Sequence, residues 1–374
     1  MYAAENHIQL LKNNLSNEVW ESGCEWVWQQ IFPLSMDLTG KHSNQTLQTQ
    51  KKWSSINTMD PAYDQYEKAR EFYRTHEYLA WIGEDESDEE TIRSASEEAL
   101  DQSENANSPA NTDSASAKIS DQPMIYPMQQ LMDYDFLMKH FYNVHTSTTA
   151  DRELMNAKNL LSKDLTLEKE DAPQILIYHT HSQESYKNSK KDENVVAVGQ
   201  KLTDLLTEKG WNVYHDTTVY DLAVGKLDRS RAYTYALEGI NEILARYPSI
   251  QVVLDIHRDG VGEDVYLKTE IGGQPSARII FFNGLSQTPE GPISYLANPF
   301  REDNLAFSLK LQLKAEEYYP GFTRKIYLKG LRYNQHLRAR SALVEVGAQT
   351  NTFEEACNAM MPLAELLDMV LQGK

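Results

Sequence analysis

Between residues 173 and 374, short apolar runs alternate with segments of helical period, and this alternation constrains the fold more than any other feature. Strands are predicted at 175–179, 211–214, 252–257, 278–283 and 342–346, and helices at 195–209, 228–245 and 304–319. Gly210 stands where the first helix needs a C′ residue, and Pro320-Gly321 stops the third. Thr352-Phe353-Glu354-Glu355 reads as a capping box opening a last helix. Apolar runs of four to six residues read as strands buried on both faces. Strand and helix in alternation imply an α/β fold, a mixed and mostly parallel sheet with helices on both faces.

The rest of the chain divides by composition. Residues 1–83 mix aromatic and polar residues and hold five of the six tryptophans, Trp211 being the exception. They read as a small helical region. Residues 84–122 carry 12 acidic and 2 basic residues and no aromatic one, too little apolar surface to offset the entropy of ordering, so an acidic disordered linker is expected there. Residues 123–172 turn apolar again and read as a lead-in segment, strand then helix, packing on the α/β domain expected at 173–374. The net charge of −19 argues against nucleic acid as a partner. No stretch approaches ~18 apolar residues, and Met1-Tyr2-Ala3-Ala4-Glu5-Asn6 lacks the basic-then-apolar pattern of a signal peptide. A membrane link is therefore expected only through a segment absent from this sequence.

Three of the apolar runs end in residues that carry chemistry. They are Ile177-Tyr178-His179-Thr180-His181-Ser182-Gln183-Glu184, Leu254-Asp255-Ile256-His257-Arg258-Asp259 and Leu343-Val344-Glu345-Val346-Gly347. Open α/β sheets place ligands at the carboxyl ends of their strands. With only Cys24 and Cys357 and no CxxC pair, a metal site here must use histidine and carboxylate. A catalytic zinc site needs three protein ligands and an open position. His181 and Glu184, three apart just past a strand end, and His257, ending another strand, form such a set. His179 and Glu193 compete as ligands, His179 also serving as a residue behind the ligands. Glu345 lies within an apolar run, where a charge is costly without a partner. It is either paired with Arg338 or Arg340 or is the general base for a water activated by zinc. Arg229, Arg231, Arg258 and Arg340 are candidates for binding a substrate carboxylate or oxyanion. The cluster Arg324, Lys325, Lys329, Arg332, Arg338 and Arg340 is either a substrate groove or a solvated face.

At these motifs residues 175–374 resemble the zinc-dependent N-acetylmuramoyl-L-alanine amidases. The variant His179-Thr180-His181-Ser182-Gln183-Glu184-Ser185-Tyr186, with Asp135-Phe136-Leu137-Met138-Lys139-His140-Phe141-Tyr142 ahead of it, resembles the stage II sporulation protein P family of cell-wall hydrolases. The resemblance implies a phosphorylase/hydrolase-like α/β fold and zinc as cofactor. It implies cleavage of the amide between N-acetylmuramic acid and L-alanine in peptidoglycan during engulfment, with peptide cross-links as a second candidate bond. It also implies an extracytoplasmic setting at the cell envelope or forespore membrane interface, and stage II sporulation proteins D and M as partners. A zinc carboxypeptidase, which would need an arginine clamp for a free C-terminus, and a non-catalytic wall-binding scaffold are the alternatives.

Overall fold

A computed structural model describes residues 124–374, apart from 224, 225 and 228. The helical region expected at 1–83 and the linker at 84–122 lie outside the described residues. Seven strands form the central sheet: β1 (Tyr142–Val144), β2 (Ile175–Tyr178), β3 (Val213–His215), β4 (Val252–Asp259), β5 (Ile279–Gly284), β6 (Ile326–Lys329) and β7 (Arg340–Ala348). Their spatial order is β1-β6-β5-β7-β4-β2-β3, parallel throughout except where β5 meets β7. The sheet is thus mixed and mostly parallel, as the alternation of elements requires. β2, β4 and β7 run in one direction as neighbours and bring their carboxyl ends to one edge.

Helices cover both faces. On one lie α2 (Val195–Glu208), α4 (Arg301–Tyr318) and α6 (Met360–Leu371), against Ile175, Ile177, Val252, Leu254, Ile256 and Val344. On the other lies α3 (Arg229–Arg246), whose Ala236, Ile240, Ile243 and Leu244 pack on Leu176, Tyr178 and Val253. Alternation along a strand then puts Asp255 and His257 on the α3 face. Their register partners on β7, Leu343 and Glu345, share that face. The α2 N-terminus is fixed by Asn194, whose side chain accepts from Val196 and Ala197 N–H groups.

Three expectations are corrected. Within residues 130–142 the order is helix then strand: Asp133 caps α1 (Tyr134–Phe141) by accepting from Phe136 N, and β1 follows. The capping box of Thr352 and Glu355 is present, but it opens a short α5 (Phe353–Asn358) rather than one long helix. Pro362 near the start of α6 has no N–H for the carbonyl of Asn358, so the helix breaks between them. The basic stretch 324–340 hides a strand, β6, and three of its arginines are engaged by protein acceptors. Arg324 pairs with Asp259 at 2.6 Å, Arg332 donates to Ala297 O, and Arg338 donates to Ile250 O at 2.8 Å.

Candidate metal centre

Beyond Tyr178 the chain turns through residues 179–186, a segment fastened by two buried carboxylates. Asp255 accepts Thr180 N at 2.9 Å and Thr180 Oγ1 at 2.6 Å. Asp221 accepts Ser182 Oγ at 2.7 Å and Gln183 N at 3.0 Å. A turn closed by Glu184 N on His181 O then swings both side chains toward β4. The result places donor atoms of His181, Glu184 and His257 within 4.8 Å of one another, all three residues buried.

Within this group Glu184 is the hub. Its Oε1 lies 3.6 Å from His181 Nδ1 and 3.4 Å from an Arg229 guanidinium nitrogen. Its Oε2 lies 3.5 Å from His257 Nδ1 and accepts Arg258 N at 3.0 Å. Burial opposes its charge, but hydrogen bonding to His181 and His257 holds the carboxyl well below the usual range. His257 turns its other nitrogen, Nε2, toward Asp255 Oδ1 at 2.9 Å, off the line of a hydrogen bond. Burial disfavours an imidazolium there, yet Asp255 and Glu184 lift His257 well above the ordinary imidazole range. Neighbouring carboxylates favour the protonated form of a histidine. His181 Nε2 is likewise buried without a partner. Two imidazoles and a carboxylate, with Asp255 behind one imidazole, fit a divalent zinc ion.

Glu345 on β7 stands beside His257, its register partner on β4, and opposite Ile280 on β5. The strand is irregular just beyond it, between Glu345 and Ala348, where Gly347 adopts φ +61°. A side chain on Gly347 would meet Asn351 Oδ1 at 2.7 Å and Ala277 Cβ at 2.9 Å. Glu345 Oε2 is buried and has no hydrogen-bond partner. Burial pushes the carboxyl up to about 8; His257 counteracts this in part, and Asp259 and Glu184 add to it.

The remaining sequence candidates fall in different places. His179 turns away from the group. Its Nδ1 donates to Ile256 O at 3.0 Å and its Nε2 meets His215 Nε2 at 2.9 Å, burial holding it down at about 4. It braces the strand residue before His257. Glu193 pairs with Lys190 at the surface, 2.9 Å away, and is not among the clustered residues. Arg340 is corrected outright: it begins β7, far along the strand from Glu345, and donates to the carbonyls of Leu165 and Thr166. Neither it nor Arg338 pairs with Glu345. Arg258 contributes its backbone N–H to Glu184, while its guanidinium is taken up by Ser185 O and Asp259 O. Arg229 brings its guanidinium to the cluster, 3.4 Å from Glu184 Oε1.

Three residues escaped sequence reasoning. Asp255 had a legible signal, a carboxylate inside the buried run Leu254-Asp255-Ile256. Asp221 had none, since its partners lie about 40 residues upstream. Tyr233 also had none: it sits on α3 and touches both clustered histidines, with ring centroids 5.6 Å from His181 and 6.4 Å from His257.

Comparison with known proteins places these features in a family. The profile of the stage II sporulation protein P family matches residues 50–368. Stage II sporulation protein P of Bacillus subtilis (strain 168) is 28% identical over 214 residues, which is 52% of this chain and 50% of that relative. The alignment thus spans half the length of the curated relative. Among solved structures, the CwlD amidase of Clostridioides difficile, in complex with the GerS lipoprotein, is 14% identical with a TM-score of 0.33, over 52% of this chain and 99% of that one. The N-acetylmuramoyl-L-alanine amidase AmiC2 of Nostoc punctiforme is 13% identical with a TM-score of 0.31, over 55% of this chain and 98% of that one. With the family profile extending over most of its length, the chain belongs to the stage II sporulation protein P family.

Proposed function

We propose that this protein is a zinc-dependent peptidoglycan hydrolase that cleaves the amide between N-acetylmuramic acid and L-alanine during sporulation, outside the cytoplasm. The observation that carries the reading is the buried His181, Glu184 and His257 cluster beside a carboxyl, Glu345, that has no partner of its own. Family membership supports the sporulation setting. Stage II sporulation proteins D and M remain the partners we propose from that membership. No helix among the described residues is long and apolar enough to cross a membrane.

His181, Glu184 and His257 would hold the zinc ion. When bound, zinc supplies Lewis acidity, which polarises an amide carbonyl and makes a water acidic enough to attack near neutral pH. Asp255 orients His257 and raises its basicity, and Arg258 N–H fixes Glu184. Glu345 takes the proton that the attacking water loses. It then passes that proton to the alanine nitrogen as the C–N bond breaks, so the amine leaves neutral. Burial raises the proton affinity of the Glu345 carboxyl to near the neutral range, where one group can both take up a proton and return it.

The test is Glu345→Gln. The variant should keep its metal and its fold but lose turnover on purified peptidoglycan by roughly 10²–10⁴-fold. Mass spectrometry of the products from wild-type protein on cross-linked peptidoglycan reads amide and cross-link cleavage separately. Near-normal release of stem peptides by Glu345→Gln would sink the assignment.

A further inference from the structure

Two residues near the start of α3, Arg229 and Tyr233, stand four positions apart and so share a helix face. Both reach the metal centre. Arg229 meets Glu184, and Tyr233 bridges the two histidines. Its ring lies nearly parallel to that of His257, 9° apart, and edge-on to that of His181 at 72°. The phenol lies within electrostatic reach of Asp255, Glu345 and Glu184. It makes no hydrogen bond among the described residues. The site therefore contains an O–H donor that the protein itself does not use.

The ring is held from behind by an unusual turn. Asn334 Nδ2 donates to Tyr233 O at 2.9 Å, and the Tyr333 ring packs edge-on against Tyr233 with centroids 5.4 Å apart. Tyr333 in turn packs on Phe282 of β5 at 4.7 Å. Tyr333 and Asn334 both adopt left-handed conformations, φ +46° and +56°. Such conformations are unfavourable for residues with a side chain and persist where their surroundings over-determine them. Gln335 supplies that constraint, donating to Phe282 O at 2.9 Å and accepting from Gly284 N at 3.0 Å. Asn334 and Tyr333 thus fix the backbone and the ring of Tyr233 respectively.

We propose that Tyr233 donates its phenol hydrogen to the amide oxygen of the substrate, and that the left-handed turn at Tyr333 and Asn334 holds it in place to do so. The inference rests on the amidase reading. As the water oxygen bonds to the amide carbon, the C=O π pair moves onto the carbonyl oxygen, and the phenol O–H hydrogen-bonds to that growing charge without losing its proton. The water's proton goes to Glu345. When the pair returns to re-form C=O, the C–N bond breaks and the nitrogen takes the proton from Glu345. Neutral phenol is a donor throughout. A preorganised donor of this kind is worth roughly 10²–10³ in kcat.

Tyr233→Phe keeps the ring and removes only the donor. It is compared with wild type for zinc content, melting temperature, and kcat and KM on a soluble glycan–stem-peptide fragment. The affinity for the uncleaved fragment is measured in the Glu345→Gln background, with and without Tyr233→Phe. Zinc content and melting temperature should be unchanged, affinity should move less than about threefold, and kcat should fall about 10²–10³-fold. If kcat stays within about threefold of an active wild type, or if the loss is confined to KM and affinity, Tyr233 has no such role while the amidase reading stands. Loss of zinc from Tyr233→Phe would assign the hydroxyl to building the site and overturn the proposal as well. Absence of amide cleavage by zinc-loaded wild type would remove both readings together.

Discussion

Gly199→Ala separates what helix chemistry alone would say from what this fold enforces. Gly199 lies inside α2 and is buried. In an isolated helix the change to alanine would be stabilising by about 0.8–1.0 kcal/mol. Here the new Cβ would stand 2.4 Å from His179 Cε1 and 2.6 Å from its Nε2. The His179 ring is fully buried and tied to Ile256 O and His215 Nε2, so it has no easy retreat. Overpacking of this kind costs about 1–3 kcal/mol, and breaking the bond to Ile256 O adds about 1 kcal/mol. These terms outweigh the propensity gain, so Gly199→Ala should be destabilising by about 1–3 kcal/mol. For a domain of this size that lowers the melting temperature by about 2–12 °C, using ~2–4 °C per kcal/mol. Scanning calorimetry of the whole chain reads the shift. The His179→Ala background supplies the internal control: with the ring gone, Gly199→Ala should become neutral or stabilising. A melting temperature at or above wild type for the single variant would refute the close packing of His179 on α2.

Other outcomes follow from the same geometry. Asp255→Asn leaves one acceptor oxygen where Thr180 N–H, Thr180 O–H and His257 now converge, so zinc affinity should fall about 10–100-fold. Competition against a chromophoric chelator measures this, and wild-type affinity would count against the role of Asp255. Zinc added at 100 times its dissociation constant should stabilise the protein by about 2.7 kcal/mol, seen as a raised melting temperature. Chelator should reverse the shift, and His181→Ala should abolish it; an equal shift in that variant would place the ion elsewhere. His336 is held down at about 3, chiefly by burial and then by Arg332. Between about pH 3 and 6.5 the unfolded chain therefore binds more protons at this site than the folded one. Its contribution to stability is full above about 6.5 and declines as pH falls toward 3, by at most about 1.4 kcal/mol per pH unit. His336→Asn should flatten the stability curve across that window, and parallel curves for variant and wild type would exclude the effect.

The ordering of strands and helices was legible because each buried strand must be apolar and each helix must present a periodic face. β4 is the clearest case: Val252-Val253-Leu254-Asp255-Ile256-His257 announces both its burial and its functional end. β6 was not legible. Its four residues, Ile326-Tyr327-Leu328-Lys329, are flanked by Arg324 and Lys325, and charge masked a strand whose Lys329 is itself buried. The antiparallel entry of β5 beside β7 was also hidden, since a buried strand reads the same in either direction.

For the site the division is similar. Sequence alone determined the residue types on offer, His179, His181, Glu184, Glu193, His257 and Glu345, because strand ends and buried carboxylates declare themselves locally. It could not choose between His179 and His181, or between Glu184 and Glu193, because that choice depends on how the 179–186 turn is fastened. The fastening comes from Asp255 and Asp221, one on a neighbouring strand and one beyond β3, and from Gly199 leaving room for His179 to turn aside. Tertiary structure likewise decided which arginine approaches Glu184 and set Tyr233 against both histidines. The physical reason is range. Burial and periodicity act on residues close in sequence. The position of a side chain at the site is set instead by hydrogen bonds and contacts between segments that only the folded sheet brings together.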